Sequence, residues 1–492
     1  MRISKELFCF GMLALSAVSP AQAALTVSSA RTANVTCAEA VCTATAAHAV
    51  LNVDHLRNML ANKNPKLVSG SVAGDIVIVA PLSWPGRHTL TLDAYHSVIV
   101  NQPVTVEGTG GLSVITNDGG SGGIFSFDVN GYVTFWDLSS KLTINGASYT
   151  LVGDIPSLVS DVSANQNGYF ALAASHDAST NGTYGSSPVA AFGGAFEGLG
   201  NTIYNLTITN PGKAQYTGLF GQLASSATVE NLTLANAQVT NGPSGATGAL
   251  VGVNFGQLSG ISVSGSIVGG YNGYTGAIAG GNYGTIVNSH ATATVRGCCN
   301  AGGLVGGNAG TLRNSNASGN VTGAVIAGGL VGLNTGFVDM SYATGVVEGK
   351  IIGGLVGENN NSITNSYASG RVLSAQASAD VGGLVGLDQG NTIANCYSAA
   401  YVKGPNLTGG LIGDDTQFGS PGSASNTYWD FTTSGLANSG FGAGNIPNIS
   451  GITAMTTVQL QSGLPTGFDP SIWAESPSIN GGLPYLIGNS PL

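Results

Sequence analysis

Four tyrosines, Tyr342, Tyr367, Tyr397 and Tyr428, recur 25, 30 and 31 residues apart. If that spacing is the period of a stack, the four rings fall in register as an outward-facing column. Sugars could lie across such a face, because tyrosine offers flat apolar area with a polar tip. The competing reading is an aromatic ladder that only stabilises the stack.

Cleaving a glycan requires paired carboxylates, or a base with a metal, at one place. From Asn231 to Val338 there is no Asp or Glu, so that chemistry is excluded there. Upstream, Asp118, Asp128, Asp137 and Glu197 fall within 118–230, the stretch where an enzymatic alternative would have its site. Asp414 and Asp415 are adjacent, so in a strand they would point to opposite faces; a solvated turn is expected, with a shared calcium ion as the alternative. The six histidines show no metal-ligand spacing, and none is followed by Glu, which removes the HExxH zinc-peptidase motif. Glycine runs such as the one at Gly198 lack a phosphate-loop lysine and read as turns. The expectation is no catalytic residue, no metal and no cofactor.

The element that must position the tyrosines is a repeat. The phrase Gly-Gly-Leu-Val-Gly and its variants place an apolar residue at Leu219, Leu250, Ile278, Leu304, Leu330, Leu355, Leu384 and Leu411, at intervals of 31, 28, 26, 26, 25, 29 and 27. A period of this size means stacked units. The second half of each unit alternates strictly, the period of a strand. Thus Ser289, Ala291, Ala293 and Val295 are expected inward, and His290, Thr292 and Thr294 outward. Units this short cannot bury a face alone, but stacking gives each strand a partner above and below at about 4.8 Å. The fold class predicted is all-β, a right-handed parallel β-helix (β-solenoid) with short helical capping segments. Gly284, Gly310, Gly336 and Asn361 share a slot expected to be left-handed. Asn231, Asn288, Asn314, Asn365 and Asn395 share another, expected to stack as an amide ladder, with Gly260 and Met340 as its interruptions.

The unit, as in "GGLVGENNNSITNSYASGRV" at Gly353 to Val372, resembles the GLUG motif, the short repeat of filamentous-haemagglutinin-like bacterial adhesins and of some bacterial IgA-cleaving metallopeptidases. The resemblance runs from about Gly218 to Trp429. It implies an extended β-helix displayed by a bacterium and used for attachment.

Composition sets the remaining limits. Charged residues are 8% of the chain, against about 25% in ordinary domains. Arg2 and Lys5 precede an apolar run that ends in Ala21-Gln22-Ala23, the pattern of a secretory leader. Without Arg2, Lys5 and Glu6 the 14 basic and 24 acidic residues become 12 and 23, a balance of −11. That sign argues against nucleic acid, and no later stretch has the roughly 18 apolar residues of a membrane helix. A secreted or cell-surface location is expected, with the periplasm as an alternative.

In an exported protein Cys37 and Cys42 are near enough to form a local disulfide. Cys396 occupies the inward serine slot and reads as core; about four coils, or roughly 19 Å, separate it from Cys298 and Cys299, too far for a bridge. A reactive thiol at Cys298 or Cys299 is the open alternative. Helices are predicted over Asn52 to Lys63 and Asp154 to Asn165, each with a capping residue at its start. The organisation expected is a leader at 1–23, an N-terminal cap at 24–70, irregular coils at 71–215, about eight repeat coils at 216–430 and a C-terminal cap at 431–492. Three functions are compatible with these residues: non-enzymatic adhesion to glycan or a cell-surface partner, a polysaccharide-active enzyme with its carboxylates in 118–230, and a purely structural surface or matrix protein.

Overall fold

Glycine and asparagine interrupt the chain so often that no strand runs far, and each coil is assembled from short pieces. In the computed structural model, which describes residues 23–128, 130–212, 216–390, 392–416 and 424–491, one coil comprises Ile351–Gly353, Val356–Asn359, Ser362–Thr364, Tyr367–Ala368 and Arg371–Leu373. Every piece pairs in parallel with its counterpart one coil later: Val356 with Val385, Ile363 with Ile393, Tyr367 with Tyr397, Val372 with Val402. Repeated over about 16 turns, this is a parallel β-solenoid on the order of 75 Å long. The expected leader lies, apart from Ala23, outside the described residues.

The interior of the repeat coils is one apolar column, and the N-terminal coils bury a second one. Leu250, Ile278, Leu304, Leu330, Leu355, Leu384 and Leu411 are fully buried in the first, as are Ala291, Ala293 and Val295. Ser289, Ser315, Ser341 and Ser366 are buried too. Each of their hydroxyls donates to the carbonyl two residues back, at 2.7 to 2.9 Å, and accepts the amide N–H of the preceding coil. A short hydroxyl therefore satisfies backbone groups that an apolar residue would leave unpaired.

The left-handed slot falls in the asparagine column expected to form the ladder, and that column keeps only separate amide bonds, Asn314 to Asn288 at 2.6 Å and Asn426 to Asn395 at 3.2 Å. Asn231, Asn288, Asn314, Asn365 and Asn395 carry the left-handed backbone, with φ between 46° and 54°, and Met340 and Gly260 in the same column share it. Gly284, Gly310 and Gly336 have no positive φ. They are glycines because a Cβ at Gly310 would sit 2.0 Å from the Gly284 carbonyl oxygen beneath it, and the same approach recurs at Gly284 and Gly336.

The continuous amide ladder is a third column. Asn254, Asn282, Asn308, Asn334 and Asn359 are all at most 1% exposed. Each Nδ2 donates to Oδ1 of the next coil, at 2.8, 2.8, 2.9 and 2.8 Å, and Asn359 donates to Asp388 at 2.8 Å.

At the N-terminal end Ala24–Ser28 lies between Ala49–Asn52 and Asp75–Ile78. The helix Val53–Leu60 follows the edge strand Ala49–Asn52 and buries Val53, Leu56 and Leu60; Asn52 caps it by accepting from the N–H groups of Asp54 and His55. A second helix, Ile155–Ala164, starts at an Asp154–Ser157 capping box.

At the other end Ile452–Met455 pairs with Thr427–Asp430 and adds a further strand to the stack. The chain then reverses. Residues 457–491 run back along the flank, with Thr466 beside Tyr428, Pro484 beside Tyr397 and Asn489 beside Asn316.

Candidate functional site

The tyrosine column exists and is closed to solvent. Tyr342 stacks on Tyr367 at 4.8 Å and 8°, and Tyr367 on Tyr397 at 5.0 Å and 6°. The outward exposure expected of Tyr342, Tyr367, Tyr397 and Tyr428 is corrected here, since none is more than 8% exposed. Leu460, Phe468, Trp473 and Leu486 of the returning segment cover them. The Tyr397 hydroxyl donates to the Pro484 carbonyl at 2.7 Å and accepts from Asn480. Burial pushes the Tyr342 phenol up to about 12 and the Tyr367 and Tyr397 phenols higher still. A row of outward rings leaves a large apolar strip, and the chain's own C-terminal residues remove it from water.

Two open places hold candidate residues. The larger is a groove of about 1150 Å³ along one flank. Its floor includes one register column, Val268, Arg296, Thr322, Glu348, Leu373 and Lys403, each paired with the next across successive coils. Arg371 and Tyr401, paired on the neighbouring column, also line it, and the guanidinium lies 5.6 Å from the Tyr401 ring centroid. Glycine-rich turns at Gly242, Gly269, Gly297, Gly323 and Gly349 border it. Arg371 is legible as an outward residue from strand alternation. Arg296, Glu348 and Lys403 were detectable by a rule the alternation does not state: each immediately precedes its coil's turn glycine, at Gly297, Gly349 and Gly404.

The second is a polar pocket of about 710 Å³. Of the upstream carboxylates only Asp128 and Glu197 line it; Asp118 lies exposed elsewhere, and Asp137 accepts the Ser139 N–H and hydroxyl, which holds its carboxyl below the usual range. Glu197 is buried and pairs in register with Glu230 one coil on. Its Oε1 accepts from the Leu199 N–H at 2.8 Å and its Oε2 from Asn231 at 3.2 Å. Burial, then the Glu230 charge, holds its carboxyl well above the usual range. The same phrase at one coil's spacing, Phe196-Glu197 and Val229-Glu230, announces this pair in the sequence.

The remaining candidates fall as follows. Asp414 and Asp415 belong to the strand Ile412–Asp415, with Asp414 partly exposed and Asp415 buried. The opposite faces hold and the solvated turn does not, because this strand continues the stack. Cys37 and Cys42 are bonded across the hairpin of Val35–Ala38 and Val41–Ala44. Cys298, Cys299 and Cys396 are free. Cys396 is buried and donates to the Ala394 carbonyl at 3.1 Å, as the serines in its column do, and burial pushes its thiol up to about 12. Cys298 and Cys299 sit half-buried on a bend, where Cys298 lines the groove and Cys299 donates to the Tyr271 carbonyl.

Residues 349–373, one coil of the solenoid, match the family "The GLUG motif". The matched segment is this one coil. It contains Glu348's neighbour Gly349 and ends on Arg371 and Leu373, so the GLUG coil itself contributes part of the groove. Halomucin of Haloquadratum walsbyi is 32% identical over 148 residues, 29% of this chain and 1% of that protein. A provisionally named Gly-rich membrane protein of Evansella cellulosilytica is 33% identical over 89 residues, 18% of this chain and 10% of that protein. The chain thus spans about a hundredth and a tenth of the lengths of these relatives. A solved structure of a provisionally named immunoglobulin A1 protease from Bacteroides ovatus aligns over 70% of this chain and 93% of its own, at 18% identity and a TM-score of 0.39. Among the described residues no helix is long and apolar enough to cross a membrane, and no group of three or more His, Cys, Asp or Glu is arranged to hold a metal.

Proposed function

We propose that this chain is a non-enzymatic, surface-displayed or secreted solenoid that binds glycan along its flank groove. The observation that carries the reading is the groove itself, open and extended across several coils, with the Tyr401 ring and exposed polar side chains among its lining. The names of the two relatives, halomucin and a Gly-rich membrane protein, fit a place at the cell surface. Adhesion is the role that an extended rod with a lateral site supports best. A glycan array on the purified protein, run beside a reducing-sugar release assay, tests it. Binding without release is expected, weakened about tenfold by Tyr401→Ala. Release of product from a bound glycan overturns the non-enzymatic reading.

A second reading rests on the Glu197–Glu230 pair. Two carboxylates on adjacent coils, one of them raised well above the usual carboxylate range by burial and then by the Glu230 charge, have the composition of an acid and base pair for glycosidic cleavage. In that case Glu230→Gln abolishes sugar release and Asp137→Asn leaves it unchanged.

A further inference from the structure

The basic residues of this chain are few and unevenly placed. Beyond the expected leader there are 12 Lys and Arg against 23 Asp and Glu, and three of those 12, Arg296, Arg371 and Lys403, line the one groove. All three are exposed, and none takes part in the ion pairs formed among the described residues. A net-negative protein repels polyanions in general, so an unneutralised cation row on its surface favours one anionic ligand at one place.

The register adds spacing. Arg296 and Lys403 stand on the same column four coils apart, about 19 Å at the inter-strand distance, with Arg371 one coil before Lys403. A linear polymer lying along the axis meets a cation at each end of that span. The Arg371 guanidinium carbon lies over the Tyr401 ring, 5.6 Å from its centroid, and a planar guanidinium matches a carboxylate with two parallel hydrogen bonds. The exposed Tyr401 ring beside it presents an apolar face to a pyranose. Glu348, midway between Arg296 and Lys403, is the one acidic side chain on the groove floor.

We propose that the groove binds a linear uronate-containing polysaccharide laid along the solenoid axis, with Arg296, Arg371 and Lys403 as its carboxylate contacts. This rests on the reading of the groove as a glycan site and names the class of glycan.

The test is titration calorimetry of the purified protein with a uronate oligosaccharide, a sulfated oligosaccharide of equal charge and a neutral glucan of equal length. The uronate is expected to bind, the glucan at least about tenfold more weakly, and the uronate affinity to fall steeply between about 50 and about 500 mM salt. The triple variant Arg296→Gln, Arg371→Gln, Lys403→Gln should lose about tenfold or more, Arg371→Lys an intermediate amount, and Glu348→Gln should gain severalfold, roughly in line with charge-assisted contacts. These are surface positions, and unchanged melting curves confirm folding of each variant. Equal binding of the neutral glucan, or a triple variant that binds as the parent does, overturns the anionic assignment while the groove reading stands. Tighter binding of the sulfated chain than of the uronate overturns the choice of carboxylate. Binding of none of the three overturns the groove reading itself.

Discussion

Tyr367 lies face to face with Tyr397, ring centroids 5.0 Å apart and planes 6° from parallel, and neither ring reaches solvent. Trp473 packs against both, at 6.0 and 5.9 Å. The flank and the returning C-terminal segment therefore hold each other in place.

Trp473→Ala should detach that segment. The loss expected is about 3 to 5 kcal/mol, the range for removing a buried aromatic, and protease cleavage within 457–491 should precede any cleavage of the repeat coils. Tyr397→Phe keeps the ring and removes the hydroxyl bonds to Pro484 and Asn480, so it should cost only about 1 to 3 kcal/mol. Thermal melts with gel analysis of the fragments separate the two.

The buried ladder predicts an asymmetry among conservative changes. Asn308→Leu removes a donor to Asn334 and an acceptor from Asn282 at once, leaving these buried groups only longer bonds of 3.3 to 3.4 Å, at about 1 to 3 kcal/mol each. An exposed-face change such as Thr292→Ala should alter stability by less than about 0.5 kcal/mol. Denaturant unfolding followed by circular dichroism reads both.

Asp388 closes the ladder and gives a pH test. Its carboxyl is fully buried, and that burial, with Asp415 adding to it, raises it to about 6. Protonation thus favours the folded chain, so this group's stabilisation is complete below its unfolded value of about 3.9 and is lost as pH rises through about 6. Asp388→Asn removes the dependence. It should raise the melting temperature at pH 7.5, by an amount corresponding to about 3 kcal/mol, and leave it nearly unchanged at pH 4.

Glycines in two columns should respond oppositely. Gly310→Ala drives a Cβ to within 2.0 Å of a backbone oxygen and should destabilise by more than about 3 kcal/mol, with no relief available from a side-chain shift. Gly260→Asn installs the residue its column already uses at positive φ, and the nearest atom to the new Cβ is a side-chain oxygen of Asn231. It should fold with a change within about 1 kcal/mol, as measured by the same melts.

Much of this architecture was legible in the sequence, because a repeat displays its register openly. The spacing of the buried leucines, the inward serines and alanines, the core role of Cys396, the Cys37–Cys42 bridge and both capped helices follow from local rules. What escaped is set by neighbours one coil away. A column of asparagines is a ladder if its side chains point inward and a row of left-handed turns if its backbone bends, and one letter denotes both. Glycine has the same double meaning: Gly310 is required by the carbonyl under it, which its own sequence context does not record. The tyrosines were placed correctly in register and on the outer side of the coil, but their cover comes from residues some 30 to 140 positions later, a separation at which no periodicity speaks. Glu230 and the groove cations required comparison of coil with coil at fixed slots rather than a search for local clusters.

The amide ladder also has a polarity. Each rung from Asn254 onward hands its N–H forward, always toward the C-terminus, so the row runs like a sentence that can be lengthened at its beginning or in its middle by copying a coil, yet needs a full stop at its end. Asp388, which can accept that last proton donor and has no amide to pass on, is that stop. A lineage that gains or loses coils between 254 and 388 by duplication keeps a satisfied interior at every length, and the number of coils, and with it the reach of the rod, is free to drift without refashioning the fold.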